Sequence, residues 1–286
     1  MVDKVHIVEV GPRDGLQNIL KSIPTEKKIT YIDLLSEAGC PEIEVTSFVS
    51  PRWVPQLSDA KKVSSKINRN KDILYTALVP NLKGLESAIE NSYQSVAIFT
   101  AASETFSQKN TNCTIDKSIR RFEKMVPVCQ EKNLRLRGYI STCWTCPYEG
   151  DVNAGTVVKI IQDLLSLGVH EISLGDTIGK ATPEDVEYLL KIILDNWPPD
   201  FFALHMHDTY NMASENVTVG LGMGIRTLDA SAGGIGGCPY AVGASGNIAT
   251  ETVTKICQEQ GFDTGINLDK LKSAGAYIQS IINVNH

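Results

Sequence analysis

No stretch of this 286-residue chain approaches the roughly 18–20 consecutive apolar residues that a membrane-spanning helix needs. Lys and Arg number 27 against 33 Asp and Glu and never run for more than a few residues, leaving a net charge of -6. Neither nucleic acid nor an anionic membrane is therefore an evident partner, and a small anionic ligand would need its own local basic site. The phosphate signatures G-x-G-x-x-G and G-x-x-x-x-G-K-[ST] are missing, which weighs against an open doubly wound sheet. Seven cysteines, odd in number and scattered, do not read as a disulfide framework. A strand begins almost directly after Met1, with no stretch that reads as a leader, so a cytoplasmic protein is expected.

What is present is ordinary for a globular chain, with 42% hydrophobic and 21% charged residues. Short β-rich runs recur at Val5–Val10, Glu42–Thr46, Ile73–Val79, Ser95–Phe99, Leu134–Ile140, Val169–Leu174, Phe201–His205 and Ile225–Ala230. Amphipathic segments alternate with them, among them Thr25–Ala38, Asp116–Glu131, Ala154–Leu167, Pro183–Leu194 and Ala213–Leu221. Gly39, Gly168 and Gly224 each stand just before the next strand, where a helix would stop. About eight strand-helix units fit an α/β fold of the (β/α)8, or TIM barrel, type. The whole chain, 1–286, reads as one such domain, with residues 267–283 forming an additional C-terminal helix.

In such a barrel the chemistry sits at the C-terminal ends of the strands. That places Arg13 and Asp14 after the first strand, Glu44 in the second, Tyr139 in the fifth, Asp176 after the sixth, and His205 and His207 at the seventh. Residues two apart in a strand share a face, so both imidazoles point into the barrel mouth while Leu204 and Met206 turn outward. The pair suits a metal or a pair of satisfied core histidines; Asp14, taken as coming from a neighbouring strand, tilts the reading to metal. The Arg13-Asp14 pair itself reads either as a solvated turn or as a substrate-facing cation beside a ligand. After the eighth strand, the glycine-rich run from Gly233 to Asn247 carries Cys238 and reads either as a plain connector or as a loop that brings a thiol to the site. Asn247 is either the N-cap of a helix over Ile248–Glu259 or an amide-oxygen ligand. Cys143-Trp-Thr-Cys146 has no second pair to make a zinc site, and its surroundings suggest a loop rather than a redox helix.

The segments "GPRDGLQN", "EVTSFVSPRWVPQLSDA", "RGYIST", "ISLGDTIG", "HMHDTYNMA" and "GGIGGCPYAVGASGNIATE" together resemble the 3-hydroxy-3-methylglutaryl-CoA lyases, a metal-dependent TIM-barrel family, from about residue 4 to 280. The resemblance implies cleavage of an acyl-CoA substrate and a divalent ion, Mg2+ or Mn2+, held by Asp14, His205, His207 and Asn247. It implies catalytic roles for Arg13 and Cys238, also involving His205, with Glu44 and Asp176 in support. Gln17, Tyr139, Ser173 and Thr177 are implied near the substrate, and a homodimer is the expected assembly. A longer 3-hydroxy-3-alkylglutaryl-CoA, or a condensing synthase of the isopropylmalate or homocitrate type, is the alternative. A further C-terminal cysteine found in some members of that family has no counterpart in the tail here.

Overall fold

Eight parallel strands close into a barrel in the computed structural model, which describes residues 3–236 and 246–283. They are β1 (His6–Glu9), β2 (Glu42–Ser47), β3 (Leu74–Leu78), β4 (Ser95–Ala101), β5 (Arg135–Ser141), β6 (Glu171–Asp176), β7 (Phe202–Met206) and β8 (Thr227–Ala230). The order is sequential, and β1 closes on β8 with His6 opposite Thr227 and Glu9 opposite Ala230. The expected fold class is thus the observed one.

Alternation along each strand sorts the side chains between two environments. Ile43, Val45, Leu136, Ile140, Ile172, Leu174, Leu204 and Met206 face the surrounding helices and form one large core with them. The facing helical stripes supply residues such as Ile160, Ile161 and Leu164 of α7 (Ala154–Leu167). That helix stops at Gly168 with φ +94°, a left-handed backbone that glycine adopts without steric cost. The opposite set, including Glu42, Glu44, Thr76, Arg135, Arg137, Tyr139, Glu171, Ser173, His205 and Asp229, is drawn together by hydrogen bonds from one strand to another. Branched apolar layers are the usual filling of a TIM barrel. Here much of that space holds a network of charged and polar groups.

The segment over residues 116–131 divides into α5 (Ile115–Glu123) and α6 (Val126–Glu131), because Pro127 has no amide to continue the first helix's ladder and enters at the start of the second. α10 (Thr250–Glu259) begins two residues later than the sequence pattern suggests, with Ala249 as N-cap, so Asn247 does not cap it. α11 (Leu268–Ile282) is the additional C-terminal helix; Asn267 caps it by accepting from the Lys270 amide, and Leu271, Ala274 and Ile278 are buried beneath it. No helix among the described residues is long and apolar enough to cross a membrane.

Candidate active site

The chain leaves β1 through a single wide helical turn, Gly11–Gly15, in which the Asp14 and Gly15 amides both return to the Val10 carbonyl, at 2.8 and 3.2 Å. Pro12 fits the first turn because no amide is required there. The turn aims Arg13 and Asp14 across the barrel mouth. β8 separates β1 from β7, so Asp14 does not come from the strand next to the histidines; the turn carries it past β8 to reach them.

There, ligand atoms of Asp14, His205 and His207 all lie within 4.8 Å of one another. The Nε2 atoms of the two imidazoles are 3.3 Å apart, and Asp14 Oδ2 is 3.8 Å from that of His205. Burial, then the neighbouring His205, pushes the His207 pKa down to about 4, so its imidazole is neutral near pH 7. Burial alone would raise the Asp14 carboxyl, but Arg13 and the two histidines hold it well below the usual carboxylate range. Asn247 places its side-chain amide 2.9 Å from Asp14 Oδ2, and the opposite orientation of that amide would present its oxygen instead. Two imidazole nitrogens converging beside an ionised carboxylate and a carboxamide fit a divalent cation. His207 Nδ1, buried and without a partner among the described residues, is the one polar atom of that set left unaccounted for.

Arg13 is buried with 6% of its surface exposed, and donates to Asp14 Oδ1 at 2.5 Å and to Glu44 Oε2 at 3.0 Å. Desolvation opposes its charge, yet Glu44 and Asp14 more than offset that and raise its pKa further. Its Nε is buried and has no hydrogen-bond partner among the described residues. Tyr139 donates to the same Glu44 oxygen at 2.7 Å and lies under the guanidinium at 5.2 Å.

The remaining residues expected at the site divide. Ser173 donates to Asp229 at 2.7 Å inside the barrel, and the Thr177 hydroxyl accepts from the Thr142 amide at 2.8 Å. Asp176, fully buried, accepts from the Lys180 and Ala181 amides at 3.1 and 3.0 Å, so its carboxylate shapes the loop after β6. Burial pushes its pKa up to about 6 against those amides. Gln17 is half-buried two residues past the Arg13 turn. Cys238 lies outside the described residues, but the segment's flanks meet at the site, where Asn247 donates to the Ile235 carbonyl at 3.3 Å. The six described cysteines are free and buried. Cys143 and Cys146 turn to different partners, the Ile140 carbonyl and the Ser103 hydroxyl, which removes the zinc and redox readings of that pair.

Asp229 and Arg137 are the site residues that the sequence reading missed. Asp229 accepts from His205 Nδ1 at 3.1 Å and from Arg137 at 2.5 Å, and Arg137 also donates to Glu171 and Tyr139, each at 2.6 Å. The signal that could have found them is the same period-two inward register that singled out the histidines.

A TIM barrel whose mouth gathers a carboxylate, two imidazoles and a buried arginine has the donor set of a metal-dependent enzyme, with a fixed cation beside the candidate metal group. The chain belongs to the HMGL-like family, whose model matches residues 4–278. It is 47% identical over 280 residues, 98% of this chain and 86% of the other, to a mitochondrial hydroxymethylglutaryl-CoA lyase of Bos taurus. The crystal structure of the HMG-CoA lyase from Brucella melitensis superposes with a TM-score of 0.97 at 45% identity, covering 99% of this chain and all of that one. A second, from Acinetobacter baumannii in complex with coenzyme A and 3-methylmalate, gives 0.93 at 38% identity and covers 99% of this chain and 92% of the other.

Proposed function

We infer that this protein is a carbon-carbon lyase that splits 3-hydroxy-3-methylglutaryl-CoA into acetyl-CoA and acetoacetate. The observation that carries the reading is the convergence of Arg13 with the Asp14, His205 and His207 group at the mouth of a chain related along nearly its whole length to lyases of that name. The condensing alternative is not favoured by those relatives.

The reaction has two demands. The tertiary hydroxyl must give up a proton, and the electron pair of the bond between the carbinol carbon and the carbon beside the thioester must be held until a proton replaces it. A divalent ion, Mg2+ or Mn2+, held by Asp14, His205, His207 and Asn247 supplies Lewis acidity toward the hydroxyl when bound. The hydroxyl proton passes to Asp14, whose carboxylate lies 3.8 Å from His205 Nε2 and keeps lone pairs beyond the one a cation would take. As the bond breaks, acetoacetate leaves with the new carbonyl, and the electron pair moves onto the thioester oxygen of the acetyl-CoA enolate. Arg13 meets that oxygen with a permanent charge, its guanidinium clamped by Glu44 and Asp14 so that little reorganisation is needed. Cys238, on the segment between Gly236 and Gly246, returns a proton to the enolate carbon. Glu44 and Tyr139 orient Arg13; Asp176 shapes the loop after β6, Ser173 holds Asp229 inside the barrel, and Thr177 and Gln17 lie toward the substrate.

The test is acetoacetate release from 3-hydroxy-3-methylglutaryl-CoA with Mg2+ or Mn2+ added, together with longer 3-alkyl homologues. Turnover should vanish on chelation and return with either ion. A metal-loaded preparation that releases no acetoacetate would reject the reading.

A further inference from the structure

The histidine that faces Asp14 has its other ring nitrogen committed deep inside the barrel. His205 Nδ1 lies 3.1 Å from Asp229 Oδ2, and Asp229 is only 2% exposed, so water does not compete for that contact. Arg137, with none of its surface exposed, grips the same carboxylate at 2.5 and 3.3 Å, and Ser173 donates to it at 2.7 Å. An ionised carboxylate is acceptor-only, and Asp229 is kept ionised by the Arg137 guanidinium and the Ser173 hydroxyl. The proton of a neutral His205 must then sit on Nδ1. Nε2 is left as a lone pair, directed at His207 Nε2 and Asp14 Oδ2.

We propose that Asp229, held by Arg137, is a positioning residue that fixes the tautomer and ring orientation of His205 and thereby the cation affinity of the site. This deepens the functional reading above and rests on its metal assignment. The contacts continue beyond His205. Arg137 donates to Tyr139, Tyr139 to Glu44, and Arg13 to both Glu44 and Asp14, so one chain of hydrogen bonds runs from His205 to Arg13 and back to Asp14. Asp229 anchors the far end of that chain without touching substrate or cation. Removing its charge frees His205 to move its proton to Nε2, and an Nε2 that carries a proton cannot be a ligand.

Two measurements decide it, both on the full chain. The first is the tautomer of His205 in the metal-free wild-type protein, read from long-range 15N-1H spectra and assigned with His205→Gln. The Nδ1-H form is expected, and the Nε2-H form would overturn the proposal without any variant of Asp229 having to fold. The second is Mn2+ titration of Asp229→Asn, with circular dichroism as the check on folding. A carboxylate behind a ligand histidine is worth about 10- to 100-fold in affinity, so the Kd should rise by that factor and the tautomer signal should become mixed. A folded Asp229→Asn that binds Mn2+ within about threefold of wild type and keeps the wild-type tautomer would reduce Asp229 to a structural residue and overturn the proposal. A wild-type protein that binds no Mn2+ would instead sink the metal assignment, while the wild-type tautomer would still decide what Asp229 does to His205.

Discussion

Arg13 shows how a single residue is prepared for chemistry before substrate arrives. Its guanidinium is buried, two carboxylates fix its plane, and Tyr139 supports it from beneath. Burying a cation costs free energy that only such paired contacts offset, and the return is a charge that does not have to reorganise during bond cleavage. Arg13→Met should therefore lower kcat by about 10²- to 10³-fold while changing KM much less, because charge on the thioester oxygen grows toward the transition state. Steady-state kinetics on the metal-loaded variant would check this; a loss confined to KM would make Arg13 an anchor for the ground state. Asp14, His205 and His207 were legible only together: a turn of Gly, Pro and Asp or a lone H-x-H pair is ordinary, and it was the barrel pattern sending all three to strand ends that singled them out. Arg137 and Asp229 were not. Alternating charge in a strand, as in Arg135-Leu-Arg137, ordinarily marks a face turned to water, and the inside of a small barrel is ordinarily apolar.

At the scale of elements, the start of the segment after β8 is held from three directions. The Gly233 amide donates to both oxygens of Glu251 on α10 at 3.0 Å, and its carbonyl accepts from Gln279 on α11 at 2.7 Å. Gly233 takes φ +73°, and Gly275 of α11 passes so close that a Cβ there would stand 2.9 Å from the Gly233 nitrogen and would also meet the Glu251 carboxylate. The C-terminal helix was legible from its apolar stripe and its Asn267 cap, but this contact was not, since nothing local marks one backbone approaching another. Asn247 failed as a cap for a related reason. The chain around it is still extended, pairing Asn247 with His207 and Ala249 with Ser231 before α10 begins, so its side chain is free to turn into the site. Gly275→Ala should force α11 away from Gly233, costing about 1–3 kcal/mol by overpacking and lowering turnover as well. Urea unfolding and kcat measured together would check it, and a variant unchanged in both would show that α11 can shift without disturbing the site.

For the molecule as a whole, a charged barrel interior makes stability depend on pH in a way that an apolar core would not. The base of the network is Glu42, fully buried, which accepts from His6 at 3.0 Å, Thr76 at 2.6 Å and Arg135 at 3.1 Å. Burial alone would raise its pKa, but the His6 hydrogen bond and the charges of Arg135 and Arg137 win and hold it down to about 2, from an ordinary 4.5. A depressed folded-state pKa means that the unfolded chain binds the proton more tightly, so Glu42 stabilises the fold fully above pH 4.5 and loses that contribution as pH falls toward 2. At about 1.4 kcal/mol per unit the effect is roughly 3 kcal/mol. Two other buried carboxyls run the opposite way. Glu9 and Asp176 are raised to about 7 and about 6, chiefly by burial, and their contributions decline as pH rises from about 4 through those values. The wild-type profile alone therefore mixes opposing slopes, and the informative quantity is the difference between wild type and Glu42→Gln measured at each pH by urea unfolding of metal-free protein. That difference should be about 3 kcal/mol between pH 6 and 8 and should shrink steadily below pH 4.5, because the protonated wild type comes to resemble its own amide. A gap that stays constant from pH 7 to pH 3 would mean that Glu42 stabilises the barrel by shape and neutral hydrogen bonds, and that its charge contributes nothing.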